Sequence, residues 1–398
     1  MKIAFYNHTS MISGAEISLL LTARHLKQAQ PVLFAPEGEL LDRARSLGLD
    51  VQPLPSYRAR MTRNPLRLAV DLLGMLGAGW KLARQLRHSG AELVHANSIR
   101  AGIMAGSFRW LHRLPVVWHV RDLPPKGWMG RLIRWFASRS AQALIGISNP
   151  VLQEMKGQGR EQRYHLVHNG VELQHLGLEE RQRLRVKVRH ELGAANDVEV
   201  LAIIGQIAPW KRQEDAIEAF STLVQEGRNA VLWIVGEAKF RPENERYLEQ
   251  LQQRVQSLGL SSRVRFTGFR DDVLEICCGA DLLLLCSKEE PFGRVVIEAM
   301  SQGTPVIGTY GGGVPEIIEH GQSGFMYETG NVPELIRYVR LTLDNPELWS
   351  RLSENGRQRA IDHFCITQTA DKVEQVYHQL LHTASGKQLE HHPVKEMM

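Results

Sequence analysis

The 398-residue sequence is poor in cysteine: Cys277, Cys278, Cys286 and Cys365 all lie in its second half and show no paired spacing. That excludes a disulfide-stapled secreted scaffold and fits a reducing, cytosolic setting. Long apolar runs are also missing. The nearest, Leu68 to Trp80, falls short of the ~20 residues a membrane span needs and contains Asp71. The chain opens on a strand-like Lys2-Ile3-Ala4-Phe5-Tyr6 without the apolar core and cleavage site of a signal peptide, so a cytoplasmic protein is expected. The 16 histidines form no His-Glu-x-x-His or His/Cys grouping, and no Asp-x-Asp triplet occurs, so no metal site is expected. Neither a Gly-x-Ser-x-Gly elbow nor a Gly-x-Gly-x-x-Gly turn after the first strand is present, which argues against hydrolase and dinucleotide chemistry. Glycine at 34 and proline at 17 are ordinary, so fibrous and low-complexity classes are out.

What is present is an uneven charge. The net value is +5, but residues 1–172 hold 23 Lys and Arg against 11 Asp and Glu. Residues 58–139 alone hold 15 against 3, the whole basic excess. Such a segment suits an anionic partner. Within it, Arg58, Arg60 and Arg63 precede the apolar stretch. Arg109, Arg113, Arg131 and Arg134 interleave with Trp110, Trp128, Leu132, Ile133, Trp135 and Phe136. Cations alternating with aromatics at near-helical spacing suit an anionic membrane surface, or an ordinary amphipathic helix packed on its own sheet. No nucleic-acid-binding signature accompanies them, so no nucleic-acid partner is expected.

Short apolar segments alternate with helix-length stretches along the chain. Ile3–Tyr6, Val32–Ala35, Val51–Leu54, Leu93–Ala96, Val116–His119, Leu144–Ile147 and Tyr164–Val167 read as strands buried on both faces. A helix is predicted over Ala15–Ala29. Residues 173–197 turn polar and charged and are read as a junction. The pattern then restarts with Val198–Ile204, Val231–Val235, Val264–Thr267, Leu282–Leu285, Pro305–Gly308 and Phe325–Tyr327. Two successive βαβ series predict an α/β protein of two doubly wound, Rossmann-like domains, 1–172 and 198–366, with ligands expected in the cleft where they face each other. A last helix, 367–382, is assigned to the first domain, and 383–398 is a polar tail.

The most informative stretch runs from Ser287 through Glu290-Pro291-Phe292-Gly293-Arg294 to Glu298 and Ala299. It leaves a buried strand and enters a helix, where backbone amides face an anion. Pro291 and Gly293 keep Glu290 out of that helix, while Glu298 lies within it. On one helix the two glutamates would stand ~12 Å apart along the axis, too far to share a proton. They are better read as holding different parts of one ligand. Glycine turns follow at Gly303-Thr304-Pro305, Gly311-Gly312-Gly313-Val314-Pro315-Glu316 and Gly321-Gln322-Ser323-Gly324.

This ordered set resembles the signature of the retaining GT-B-type glycosyltransferases of glycosyltransferase family 4, over most of the second domain. The resemblance implies a GT-B-like fold and a nucleotide-sugar donor as co-substrate, with no metal. By it Glu290 lies beside the donor sugar, the backbone of Phe292 and Gly293 contacts sugar and phosphate, and Glu298 holds the ribose; the Arg294 amide faces the anion only by its place at the helix start. Gly205 and Lys211, in Gly205-Gln206-Ile207-Ala208-Pro209-Trp210-Lys211, resemble the strand-end glycine and the lysine that neutralises the diphosphate. Many members carry an arginine where this chain has Gln206; Arg212 and Arg294 are candidate substitutes. In the first domain Ser13-Gly14-Ala15-Glu16 resembles the family's Gly-Gly-x-Glu loop, with Gly14 a close-approach point. His119, in Trp118-His119-Val120-Arg121-Asp122, resembles the histidine that faces the reacting sugar, and His168-Asn169-Gly170-Val171-Glu172 a structural turn.

The implied activity is sugar transfer, with retention, from a UDP- or GDP-sugar to a glycan or lipid-linked hydroxyl acceptor in cell-envelope or exported-polysaccharide synthesis. Catalytic roles fall to Glu290, His119 and Lys211, and the protein would be cytoplasmic and peripheral on the inner membrane face. Two alternatives share the fold: a nucleotide-sugar epimerase, and a catalytically silent nucleotide-sugar-binding partner, to which Gln206 points.

Overall fold

The computed structural model describes residues 1–57, 65–157, 163–174, 177–239 and 241–384. Arg58, Arg60 and Arg63, and the tail from residue 385 on, lie outside them.

The chain divides into two units, Met1–Val167 with the segment from Thr367 on, and His168–Ile366. In the first, β1 (Lys2–Tyr6), β2 (Gln30–Ala35), β3 (Asp50–Pro53), β4 (Leu93–Ala96), β5 (Val116–Val120), β6 (Ala143–Gly146) and β7 (Tyr164–Leu166) form a parallel sheet ordered 3-2-1-4-5-6-7. In the second, β8 (Glu199–Ile204), β9 (Ala230–Val235), β10 (Val264–Gly268), β11 (Leu282–Leu285), β12 (Val306–Thr309) and β13 (Phe325–Tyr327) are ordered 10-9-8-11-12-13. Each strand lies within two residues of its predicted position, because strands covered on both faces must be short and apolar. In each sheet the chain leaves the central strand to one side and returns on the other. The loops after β1 and β4, and after β8 and β11, therefore diverge from a shared point at the strand carboxyl ends.

Three expectations need correction. The helix expected over Ala15–Ala29 is Gly14–Arg24. It stops early because the amides of Lys27, Gln28 and Ala29 all donate to the buried carboxylate of Glu374, at 2.8–3.0 Å, rather than continuing a helical ladder. The first unit closes at Val167 rather than residue 172, since Val171 bridges Cys365 and donates to the Phe364 carbonyl inside the second unit. The expected junction, 173–197, is mostly a helix, Leu178–Glu191, in the second unit. Its Arg185 and Arg189 each donate to Asp281 at 2.5 Å, and buried Arg189 also bonds the carbonyls of Gly279 and Val198. The charge run reads as linker in sequence because its carboxylate partner lies 92 to 96 residues further on.

The final helix, Ile366–Ala384, sends Val373, Val376 and Tyr377 into the core of the first sheet, among Phe5, Leu33 and Val117. Its Glu374 is therefore a tertiary cap for the turn before β2. Glu374→Ala strands three buried or half-buried amides and should destabilise the first unit by about 3 kcal/mol, at roughly 1 kcal/mol or more per lost hydrogen bond. Glu374→Gln keeps one acceptor and should lose less. Urea unfolding of the three proteins checks the order.

Candidate active site

At the end of β8 the backbone turns at Gly205, whose φ of 148° lies outside the range of L side chains. The chain then passes through a single turn, Pro209–Lys211, and Arg212 takes the left-handed conformation before helix Gln213–Gln225. A non-glycine residue pays about 1–2 kcal/mol for that conformation. Here Asp215 holds the Arg212 guanidinium through two bonds of 2.7 and 2.8 Å. The turn brings the Lys211 tail back over Gly205 and along the Trp210 ring, 4.4 Å from its centroid.

Its ammonium ends 2.6 Å from Glu290 Oε2. The same oxygen accepts the Ser287 hydroxyl at 2.8 Å, and Ser287 itself is fully buried at the end of β11. The Lys288 amide donates to the Trp210 carbonyl at 2.9 Å, tying the β8 and β11 loops together. A third loop, after β12, closes on them: Gly313 donates to the Glu290 carbonyl at 2.8 Å. At Gly312, φ is 59° and a Cβ would sit 1.9 Å from that carbonyl oxygen. The glycine triplet thus lets one backbone lie directly on another.

Gly293 precedes helix Arg294–Ser301. The Phe292 ring is buried between His168 and Phe364, at centroid distances of 5.6 and 6.0 Å, so only its backbone is available to a ligand. Glu298 is buried on that helix and paired with Arg294. Neither candidate substitute for the missing cation is uncommitted: Arg294 is bound to Glu298, and Arg212 to Asp215. The Gln206 side chain donates to the Lys239 carbonyl at 3.0 Å. Among the described residues no cluster of His, Cys, Asp or Glu could hold a metal ion.

In the first unit Gly14 opens helix Gly14–Arg24, and a Cβ there would meet nothing within 4 Å. The Glu16 carboxylate accepts the Ser13 amide at 3.1 Å and the Asn7 side chain at 3.2 Å. Asn97 donates to Asn7 at 3.2 Å and accepts Arg121 Nε at 2.9 Å. Asn7, Asn97 and Arg121 stand at the carboxyl ends of β1, β4 and β5, so one buried polar chain links three strand ends to the first helix. Burial pushes the Glu16 carboxyl above its ordinary range, against the pull of its hydrogen bonds, and the Asp122 charge adds to the rise.

His119 comes two residues before Arg121. It sits inside β5, fully buried, with Nδ1 3.1 Å from His95 Nε2, and His95 Nδ1 lies 2.7 Å from the Tyr377 hydroxyl. The other ring nitrogen of His119 finds no hydrogen-bond partner among the described residues. The final helix reaches this pair at His95, through Tyr377. Arg121, two residues on, is the side chain at the strand end. Its place after an apolar strand was the signal that could have singled it out.

Comparison with known proteins follows this geometry. The Anabaena HepE structure in complex with UDP and glucose has a TM-score of 0.82 at 24% identity, covering 95% of this chain and 99% of that one. The likeness places the architecture in the GT-B class. Residues 185–359 match the family described as Glycosyl transferases group 1, and residues 12–175 match Glycosyltransferase Family 4. Together these account for most of the chain, which belongs to the family 4 glycosyltransferases. N-acetyl-alpha-D-glucosaminyl L-malate synthase of Bacillus anthracis is 32% identical over 200 residues, 50% of each chain. The lipopolysaccharide core biosynthesis glycosyltransferase LpsE of Rhizobium meliloti is 28% identical over 193 residues, 48% of this chain and 52% of that one. The chain thus spans about half the length of the curated relatives it matches.

Two outcomes follow. Burial, reinforced by the Arg121 charge, holds His95 and His119 well below the ordinary histidine range. They are neutral when folded and protonate on unfolding, so stability is fully present above about pH 6.5 and falls as the pH drops below it. The loss is about 1.4 kcal/mol per pH unit for each histidine. His119→Asn should lower that slope in urea titrations from pH 7 to 5, by at most the share of one histidine, since His112 and His165 are also held below the ordinary range by burial; an unchanged slope would show that His119 does not titrate this way. Gly312→Ala drives a methyl into the Glu290 carbonyl and should cost ~2 kcal/mol or more in the second unit. Thermal unfolding checks this against Gly14→Ala, where there is open space.

Proposed function

We propose that the protein transfers a sugar, with retention and without a metal, from a UDP- or GDP-sugar to a hydroxyl of a glycan or lipid-linked acceptor. Cell-envelope or exported-polysaccharide synthesis is the proposed setting, in the cytoplasm. The observation that carries the reading is the Lys211–Glu290 pair at the carboxyl ends of β8 and β11, where open α/β sheets bind ligands. In the reaction the bond from C1 to the diphosphate oxygen breaks while the acceptor oxygen bonds C1 on the same face. The acceptor proton passes to the departing phosphate oxygen.

Negative charge grows on the diphosphate, and a fixed cation placed there before the reaction needs no reorganisation to meet it. Lys211 takes that role, with the Gly293 and Arg294 amides beside it. Glu290 has one oxygen committed to Lys211 and Ser287, and its other oxygen is the group proposed to meet sugar hydroxyls. Glu298 is assigned the ribose. Gly14, at an unobstructed helix start, is assigned to close approach by phosphate or acceptor. The lipopolysaccharide-core relative favours an envelope glycan as acceptor, and a lipid-carried acceptor would bring the protein to a membrane.

A thermal-shift panel of UDP, GDP and ADP with their sugar adducts, in EDTA and in magnesium, tests this. One nucleotide at ~100 times its dissociation constant should add ~2.7 kcal/mol, equally in both media. Lys211→Ala should weaken that shift and lower turnover by about a hundredfold. A dependence on magnesium would remove the metal-independent part. Silence toward all nucleotides would remove the reading itself.

A further inference from the structure

Helix Pro65–Leu86 has two apolar faces. Met75, Ala78, Leu82, Ala83 and Leu86 are buried inward. The outward face carries Leu66 (79% exposed), Val70 (60%), Leu73 (69%), Leu76 and Trp80. Between Arg67 and Lys81 this helix offers solvent no charge, since Asp71, its one acid there, is buried and takes the Tyr57 hydroxyl at 2.7 Å. An ordinary surface helix turns a polar face outward.

Two further helices of the first unit repeat the pattern. Trp110 (71% exposed) stands between Arg109 and Arg113 at helix Arg109–His112. On helix Trp128–Ser140 the exposed side chains include Trp128, Leu132 and Trp135 beside Arg131 and Arg139, with the Arg139 guanidinium 4.3 Å over the Trp135 ring. Arg84 lies likewise 4.8 Å over Trp80. The two long helices flank helix Ile99–Ser107. A Cβ on Gly79 would lie 2.5 Å from the Met104 carbonyl, and one on Gly106 would lie 2.7 Å from Ser140 Cβ. All three therefore belong to one layer over the sheet. None of them exposes an acid, and residues 65–139 hold 12 Lys and Arg against 3 Asp and Glu.

We propose that this layer docks on the surface of an anionic phospholipid bilayer, with the outer face of helix Pro65–Leu86 set among the acyl chains and Lys81, Arg84, Arg109, Arg131 and Arg139 on the headgroups. The proposal deepens the lipid-linked-acceptor reading and rests on it for its purpose. Charge complementarity selects the occupant. Indole rings flanked by cations suit the interfacial zone, where apolar bodies are buried and charged heads stay wet. A second copy of the chain would bring like charges together, which disfavours self-pairing. Among the described residues no helix is long and apolar enough to cross a membrane, so the helix lies on the surface rather than spanning it.

The test is flotation of the full chain with phosphatidylcholine vesicles, with and without phosphatidylglycerol, at low and high salt. Binding should require phosphatidylglycerol and weaken with salt. Leu73→Glu should lower the bound fraction about tenfold without changing the melting temperature, because the side chain is exposed. Lys81→Glu with Arg131→Glu should remove the preference for phosphatidylglycerol. Failure of the wild type to float overturns the proposal, as does Leu73→Glu floating equally well. Concentration-dependent dimers that Leu73→Glu abolishes, without vesicle binding, would assign the face to a second copy instead. Nucleotide-induced thermal shifts on the same preparations keep the two ideas apart. Flotation without any nucleotide shift rejects the transferase reading alone; a shift without flotation rejects the docking face alone.

Discussion

A single carboxylate oxygen of Glu290 receives both the Lys211 ammonium and the Ser287 hydroxyl, and three loops of the second unit are fixed around it. Burying an ion pair costs desolvation that its own attraction only partly offsets, so such a pair persists where further hydrogen bonds complete it. Here those bonds come from the backbone as well. The Lys288 amide reaches the Trp210 carbonyl, and the Gly313 amide reaches Glu290 itself. The loops after β8, β11 and β12 therefore hold one arrangement together, and any anion approaching Lys211 would compete with a carboxylate already in place.

The first unit uses the same strand order but meets the switch point differently. Two neutral amides, Asn7 and Asn97, stand between a buried guanidinium at Arg121 and a buried carboxyl at Glu16. A chain of this kind spreads the electrostatic cost over several hydrogen bonds, in surroundings where an unpaired member would be expensive. Beneath it, the line from Tyr377 through His95 to His119 joins the last helix to β4 and β5. Removing water from both imidazoles keeps them neutral.

Helix Pro65–Leu86 is where local pattern and tertiary placement part company. Apolar residues on both sides of a helix can mean complete burial or one face left for a partner, and periodicity does not distinguish the two. Tertiary placement decides: Gly79 lets the helix approach the Met104 carbonyl on its inner side, while Val70, Leu73 and Trp80 on the outer side are exposed.

Much of the architecture was legible because parallel strands are short, apolar and separated by helix-length crossovers, all of which are local signals. Lys211, Glu290, Gly293 and Glu298 stand out in the sequence because their order along the chain is itself the signature. The sequence alone did not show that Lys211 and Glu290, 79 residues apart, share a hydrogen bond. It also hid the commitment of Arg212 and Arg294 to carboxylates, and the use of the 178–191 charge run for packing. The clearest case is His119 beside Arg121. Both belong to one short motif, yet His119 pairs with His95, which the last helix reaches through Tyr377 some 250 residues later, while Arg121 at the strand end donates to Asn97. Periodicity fixes which face a side chain joins, but the group waiting on that face is set by strand order and long-range packing, so only the tertiary structure decided which polar residues are buried partners and which remain for chemistry.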